Sequence, residues 1–223
     1  MNVALCYKGC FNVNYLRNFG ITEQYLNTYQ ETLKNHKTML WDMLGEHNID
    51  VINATSFISD DFHKLLNNYF KNCNTIFEDK NAIYFDTWTA QLNYYLKIID
   101  SIKQNQLKNI FYDLFIFTRL DLQFHKPFLE HNINFDKFNI TVEHKSKNCD
   151  DNYWVFPQKH FNEFEQSILE LYDRHQTNKN TGIGLFHGAH EINHHLTQKN
   201  IPINYMDKLI DSYMGHTIFS FIR

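Results

Sequence analysis

The sequence predicts an α/β fold, with a mixed, mostly parallel sheet flanked by helices. Three observations carry this. Short apolar runs alternate with helix-periodic segments through the first half of the chain, the pattern of parallel strands joined by crossover helices. Strand-like runs lie closer together in the second half, which brings in antiparallel pairing. The chain has 223 residues, 43% hydrophobic, with only 7 Gly and 3 Pro, so it can fill a core and has little material for long linkers. One domain spanning 1–223 is expected.

The elements follow in order. NVALCY, residues 2–7, is an apolar run that breaks at Lys8-Gly9 and reads as a buried strand. Between Thr22 and Leu44, Tyr25, Tyr29, Leu33, Met39, Leu40 and Met43 recur at helical spacing, with Thr22 or Asn27 as a cap and Gly45 as the stop. IDVINATS, 49–56, is a second strand, and DDFHKLLNNYF, 60–70, a helix whose leading aspartates suit the helix dipole. NTIFED, 74–79, is a short third strand. In the segment 87–106, Trp88, Leu92, Tyr95, Leu96, Ile99 and Ile102 share one face of a long amphipathic helix. The run YDLFIFTRLDLQF, 112–124, reads as one strand, followed by strands at 137–144 and 152–158. Helices are expected at 159–175 and 189–199, and a closing strand at 201–207.

The bulk charge excludes some functions. A net charge of -4, with no Lys/Arg stripe among the aromatics, is no footprint for nucleic acid. Cys6, Cys10, Cys73 and Cys149 make no CxxC pair and read as free thiols of a reducing compartment. No secretory leader pattern opens the chain and no run approaches a membrane span, so a cytoplasmic location is expected.

Charged residues at strand ends are the candidate site. In an open α/β sheet, ligands bind beyond the carboxyl ends of the strands. Arg119 and Asp121 follow the apolar stretch Leu114–Phe117, where they form either an internal ion pair or a ligand contact. Asp150 and Asp151 precede an aromatic strand; adjacent carboxylates repel, which raises one proton affinity and yields a base. After them, Tyr153 and Trp154 serve as core or as a stacking surface for a sugar.

Three stretches, CYKG after the first strand, FTRLDLQF, and CDDNYWVFP, resemble small glycosyltransferases of the GT-A type. The likeness is to the compact sugar-transferring enzymes of large algal viruses and their bacterial relatives, over roughly residues 2–207. The resemblance implies a GT-A-like (Rossmann-like) fold, a nucleoside diphosphate sugar donor, a glycan acceptor and, for a viral protein, the host cytoplasm. It also implies Mn²⁺ or Mg²⁺ at the diphosphate, although this chain has Arg119-Leu120-Asp121 where such enzymes carry Asp-x-Asp. On this reading Tyr7, Lys8 and Gly9 lie under the nucleotide, and Thr55 meets base or ribose. Arg119 orients the diphosphate, Asp121 contacts it or a metal, and His216 is a further metal or diphosphate ligand. Glu191 binds a donor hydroxyl or caps a helix, and His187 and His190 touch phosphate or metal. Asp151 is the base of an inverting displacement, and Asp150 binds the acceptor.

A competing motif lies near the end. His190-Glu191-Ile192-Asn193-His194 is a literal H-E-x-x-H, which on a helix presents two imidazoles to zinc with the glutamate as a peptidase base. Its extended form fails, because Thr197 stands where Gly is required and no Glu follows Glu191. Asp207, Asp211 or His216 remain as third ligands.

Overall fold

A computed structural model describes residues 1–8, 23–45, 47–55, 60–70, 73–77, 87–143, 149–181, 188–207 and 217–221. Gly9, His187, Asp211 and His216 lie outside the described residues.

The main sheet has seven strands: β1 (Asn2–Lys8), β2 (Asn48–Thr55), β3 (Cys73–Phe77), β4 (Leu114–Thr118), β6 (Phe138–Ile140), β7 (Trp154–Pro157) and β8 (Ile203–Tyr205). Their spatial order is β3-β2-β1-β4-β7-β6-β8. The pairings β3–β2, β2–β1, β1–β4 and β6–β8 are parallel, while β7 runs antiparallel to both β4 and β6. The α/β class and the mixed, mostly parallel sheet are thus as expected. The helices are α1 (Glu23–His36), α2 (Asp60–Tyr69), α3 (Thr87–Leu107), α4 (Phe161–Thr181) and α5 (Ile192–Gln198).

Both faces of the sheet are buried, which explains why β1 and β4 are apolar without alternation. Ala4 and Cys6 of β1 point into a core closed by Leu92, Tyr95 and Ile99 of α3, Phe164 and Ile168 of α4, and Ile192 and Leu196 of α5. Val3, Leu5 and Tyr7 point the other way, against Leu33 of α1 and Leu66 of α2.

The sequence and the structure part at three places. The run 112–124 is two strands: β4 stays in the main sheet, and β5 (Leu122–Phe124) pairs with β9 (Phe219–Phe221) in a ribbon of two. Apolar patterning marks burial and does not record a change of partner, so the break at Arg119–Asp121 is silent in the pattern. The predicted helix 22–44 is regular only to His36, then widens into a π turn over Lys37–Trp41 and tightens to 3-10 over Asp42–Leu44. His36 is pinned there, with Nδ1 3.1 Å from the Tyr7 hydroxyl and Nε2 2.6 Å from the Leu122 carbonyl. Gly45 ends the segment as expected, at φ 64°. Within the strands expected at 137–144 and 201–207, the regular ladders cover Phe138–Ile140 and Ile203–Tyr205, with an isolated bridge from Glu143 to Cys149.

Strand order places the ligand crevice. From β1 the chain moves out through β2 to β3, then returns through α3 to β4 on the other side of β1. The switch point lies between the carboxyl ends of β1 and β4, where Tyr7 pairs with Thr118. Because β7 is antiparallel to β4, its amino end arrives at the same edge, with Phe117 opposite Trp154.

Candidate functional site

Lys8 ends β1, Arg119-Leu120-Asp121 turns the chain after β4, and Asp150-Asp151 lead into β7. The topology brings these segments to one edge. Lys8, Asp150 and Asp151 are 3%, 1% and 3% exposed, so the charges must satisfy one another.

The Lys8 ammonium donates to Asp151 Oδ2 at 2.9 Å. It also lies 4.7 Å from the ring centre of Tyr95 and 5.6 Å from that of Trp154. Those rings stack on each other at 5.0 Å, so Lys8 faces two π surfaces as well as a carboxylate. Gln91 Nε2 donates to the same Asp151 oxygen, and the Tyr95 hydroxyl donates to the Asp151 carbonyl at 3.0 Å. Gln91 and Tyr95 are one turn apart on α3, which therefore forms a wall of the site. Across Asp151, His190 Nε2 lies 3.6 Å from Oδ1. The other imidazole nitrogen, Nδ1, is 2.7 Å from the Cys149 carbonyl. A carbonyl only accepts, so Nδ1 carries the proton in that bond and Nε2 is the nitrogen turned toward Asp151.

Asp150 is held through its own neighbours. Asn152 Nδ2 donates to its carboxylate, Trp154 Nε1 donates to its carbonyl at 2.7 Å, and its amide donates to the Val142 carbonyl at 3.0 Å. Arg119 grips Asp121 in a two-point fork, Nε to Oδ1 at 2.7 Å and Nη2 to Oδ2. With a side chain 31% exposed, Arg119 is the charged group of the cluster most open to solvent.

The electrostatics overturn one expectation. Repulsion from Asp150 was expected to raise the proton affinity of its neighbour. Burial does push the Asp151 carboxyl up, but Lys8, His190 and Arg119 together outweigh it and hold the group well below the usual carboxylate range. Burial pulls the Lys8 ammonium below its ordinary value, against the attraction of Asp151. Burial likewise opposes the Arg119 charge, but Asp121, with Asp151 and Asp150, pushes its value further up. Each member of the pair Lys8–Asp151 favours the charged form of the other.

The remaining predicted residues fall elsewhere. Tyr7 lies on the opposite face of the sheet, its ring against His36 and Phe70. Thr55 ends β2, one strand away from Lys8. Glu191 is bound to Arg174 of α4 rather than to the cluster described above. Tyr153 and Trp154 are both fully buried; Tyr153 bonds His131 Nδ1 at 2.9 Å in the second core, and Trp154 backs Lys8. Gln91 was missed by sequence reasoning. Its only signal is a polar residue flanking the buried stripe of α3.

The H-E-x-x-H motif does not act as one helical face. It straddles a junction, with His190 in the 3-10 turn Gly188–Glu191 and His194 in α5. His190 faces Cys149 and Asp151, whereas His194 is exposed. Among the described residues no three His, Cys, Asp or Glu side chains gather as a metal site. Both oxygens of Asp121 are engaged by Arg119. His216, the other expected ligand, lies outside the described residues, and no chemistry below is routed through a cation.

No family model matches the chain, and no curated protein matches it. Among solved structures, one that matches is a protein from Desulfovibrio desulfuricans G20, provisionally assigned as a nucleotide-diphospho-sugar transferase. The likeness has a TM-score of 0.49 at 10% identity, over 96% of this chain and 84% of that one. At that level it transfers neither residues nor activity, and what this chain does has to be read from its own site.

Proposed function

We propose that the chain is a glycosyltransferase of the GT-A type, moving a sugar from a nucleoside diphosphate sugar to a glycan hydroxyl with inversion. The observation that carries the reading is the placement of Lys8 and Arg119 at the switch point between β1 and β4, facing the carboxylates of Asp121, Asp150 and Asp151. Departure of a nucleoside diphosphate builds negative charge on its oxygens, and fixed cations in a dry crevice stabilise that charge. Lys8 and Arg119 are those cations. Asp151, ionised and anchored beside them, receives the proton of the attacking hydroxyl, and Asp150 positions the acceptor. Inversion follows from a single displacement assisted by that base; a retaining route would not need it.

The test is binding and turnover with a panel of nucleoside diphosphates and their sugars, each with Mn²⁺, Mg²⁺ or EDTA. A rise in melting temperature with one nucleotide family, and release of that diphosphate when a glycan acceptor is added, supports the reading. Asp151→Asn is expected to lose transfer and retain donor binding. No stabilisation by any nucleotide under any of the three conditions would remove the proposal.

A further inference from the structure

In the structure the cations proposed for the diphosphate are already occupied. Lys8 Nζ sits 2.9 Å from Asp151 Oδ2, with side chains 2% and 4% exposed, and Arg119 is forked onto Asp121. No phosphate oxygen can take a short bond to Lys8 along that direction while the carboxylate holds it. Asp151 has a second partner within reach, since His190 Nε2 is 3.6 Å from its other oxygen. The imidazole is held there by the bond from its Nδ1 to the Cys149 carbonyl.

We propose that Asp151 is an internal anion that holds Lys8 until a ligand phosphate replaces it, whereupon the carboxylate is released from the ammonium. The inference rests on the transferase reading for the identity of the ligand, a diphosphate, and extends it to the order of events. The exchange makes the base donor-gated: Asp151 is neutralised by Lys8 in the empty protein and released only when a phosphate has taken its place. Charge makes a simple addition unfavourable. The cluster sets the two cations Lys8 and Arg119 against the three carboxylates of Asp121, Asp150 and Asp151. A diphosphate enters by displacing a carboxylate from a cation, not by finding a free cation.

The experiment is calorimetric titration, in EDTA, of UDP, GDP, CDP, ADP and inorganic pyrophosphate into the intact chain and into Asp151→Asn and Asp150→Asn. Exchange predicts that Asp151→Asn binds the anion about tenfold more tightly than the parent, because the competitor for Lys8 is gone. Asp150→Asn removes the same charge one residue away and is expected to change affinity by less than about threefold. Equal tightening in both variants, or none in Asp151→Asn, overturns the exchange. Should Asp151→Asn fail to fold, the ¹⁵N signal of the Lys8 ammonium in the parent decides. Coupling to ³¹P on saturation supports exchange, and an unchanged signal refutes it. If pyrophosphate shows the pattern and no nucleotide binds, the exchange stands and the transferase reading falls. If a nucleotide binds and Asp151→Asn is not tighter, the reverse holds. Failure of every probe to bind sinks both.

Discussion

A buried ammonium is tolerated only beside a counter-charge, and Lys8 has one carboxylate and two aromatic faces to hold it. Lys8→Met leaves Asp151 ionised and enclosed, which is expected to cost about 3–5 kcal/mol in urea unfolding. Adding Asp151→Asn to Lys8→Met removes the orphaned charge and is expected to recover most of that loss. Simple additivity of the two changes would show that the pair is not coupled. Arg119→Lys keeps the charge but loses the planar fork that matches phosphate oxygens two at a time; about a tenfold loss of nucleoside diphosphate affinity is expected by titration calorimetry. Each of these charges was readable in the sequence as a residue at a strand end. Their partners were not. The carboxylate expected to be raised by its neighbour Asp150 is instead held down by groups from β1, α5's approach and the β4 turn. Only the fold determines which charges meet.

The elements show why some boundaries were legible and others hidden. β1 and β2 carry apolar runs and α3 a long helical period, and each was anticipated within a residue or two. The split between β4 and β5 was hidden, because Leu120, Leu122 and Phe124 continue the burial of β4 in the core that Leu114 and Ile116 already line. β9 is three residues long and left no periodicity to read. Phe124 binds this ribbon to the body of the protein, with ring centres 5.1 Å from His36, 5.2 Å from Tyr153, 5.6 Å from His131 and 6.1 Å from Phe219. Phe124→Ala is expected to destabilise the chain by about 3–5 kcal/mol in urea unfolding. A loss under about 1 kcal/mol would mean that the ribbon contributes little to the core.

For the molecule as a whole, two enclosed imidazoles among the described residues make stability depend on acidity. Burial lowers His36 to about 4, against the bond to the Leu122 carbonyl, and lowers His131 to about 4, against the bond to the Lys126 carbonyl. Both are neutral when folded and take up protons when unfolded. Their contribution is full above pH ~6.5 and is lost as pH falls from there to about 4. Between those limits unfolding is expected to absorb up to two protons from this source, a slope of about 3 kcal/mol per pH unit in urea unfolding. A flat profile from pH ~7 to ~5 would contradict it. The depressed carboxyl of Asp151 adds a separate loss at lower pH, below the ordinary carboxylate value of 3.8.

The sheet order also has a temporal meaning. Lys8 is made 143 residues before the aspartate that neutralises it. At about 5–20 residues per second a ribosome takes roughly 7–30 s to cover that distance. Throughout that interval the first strand, which becomes the shared neighbour of the second and fourth strands, ends in a cation without its carboxylate partner. Closure of the crevice around Lys8 is therefore expected to wait until the segment carrying Asp151 has emerged.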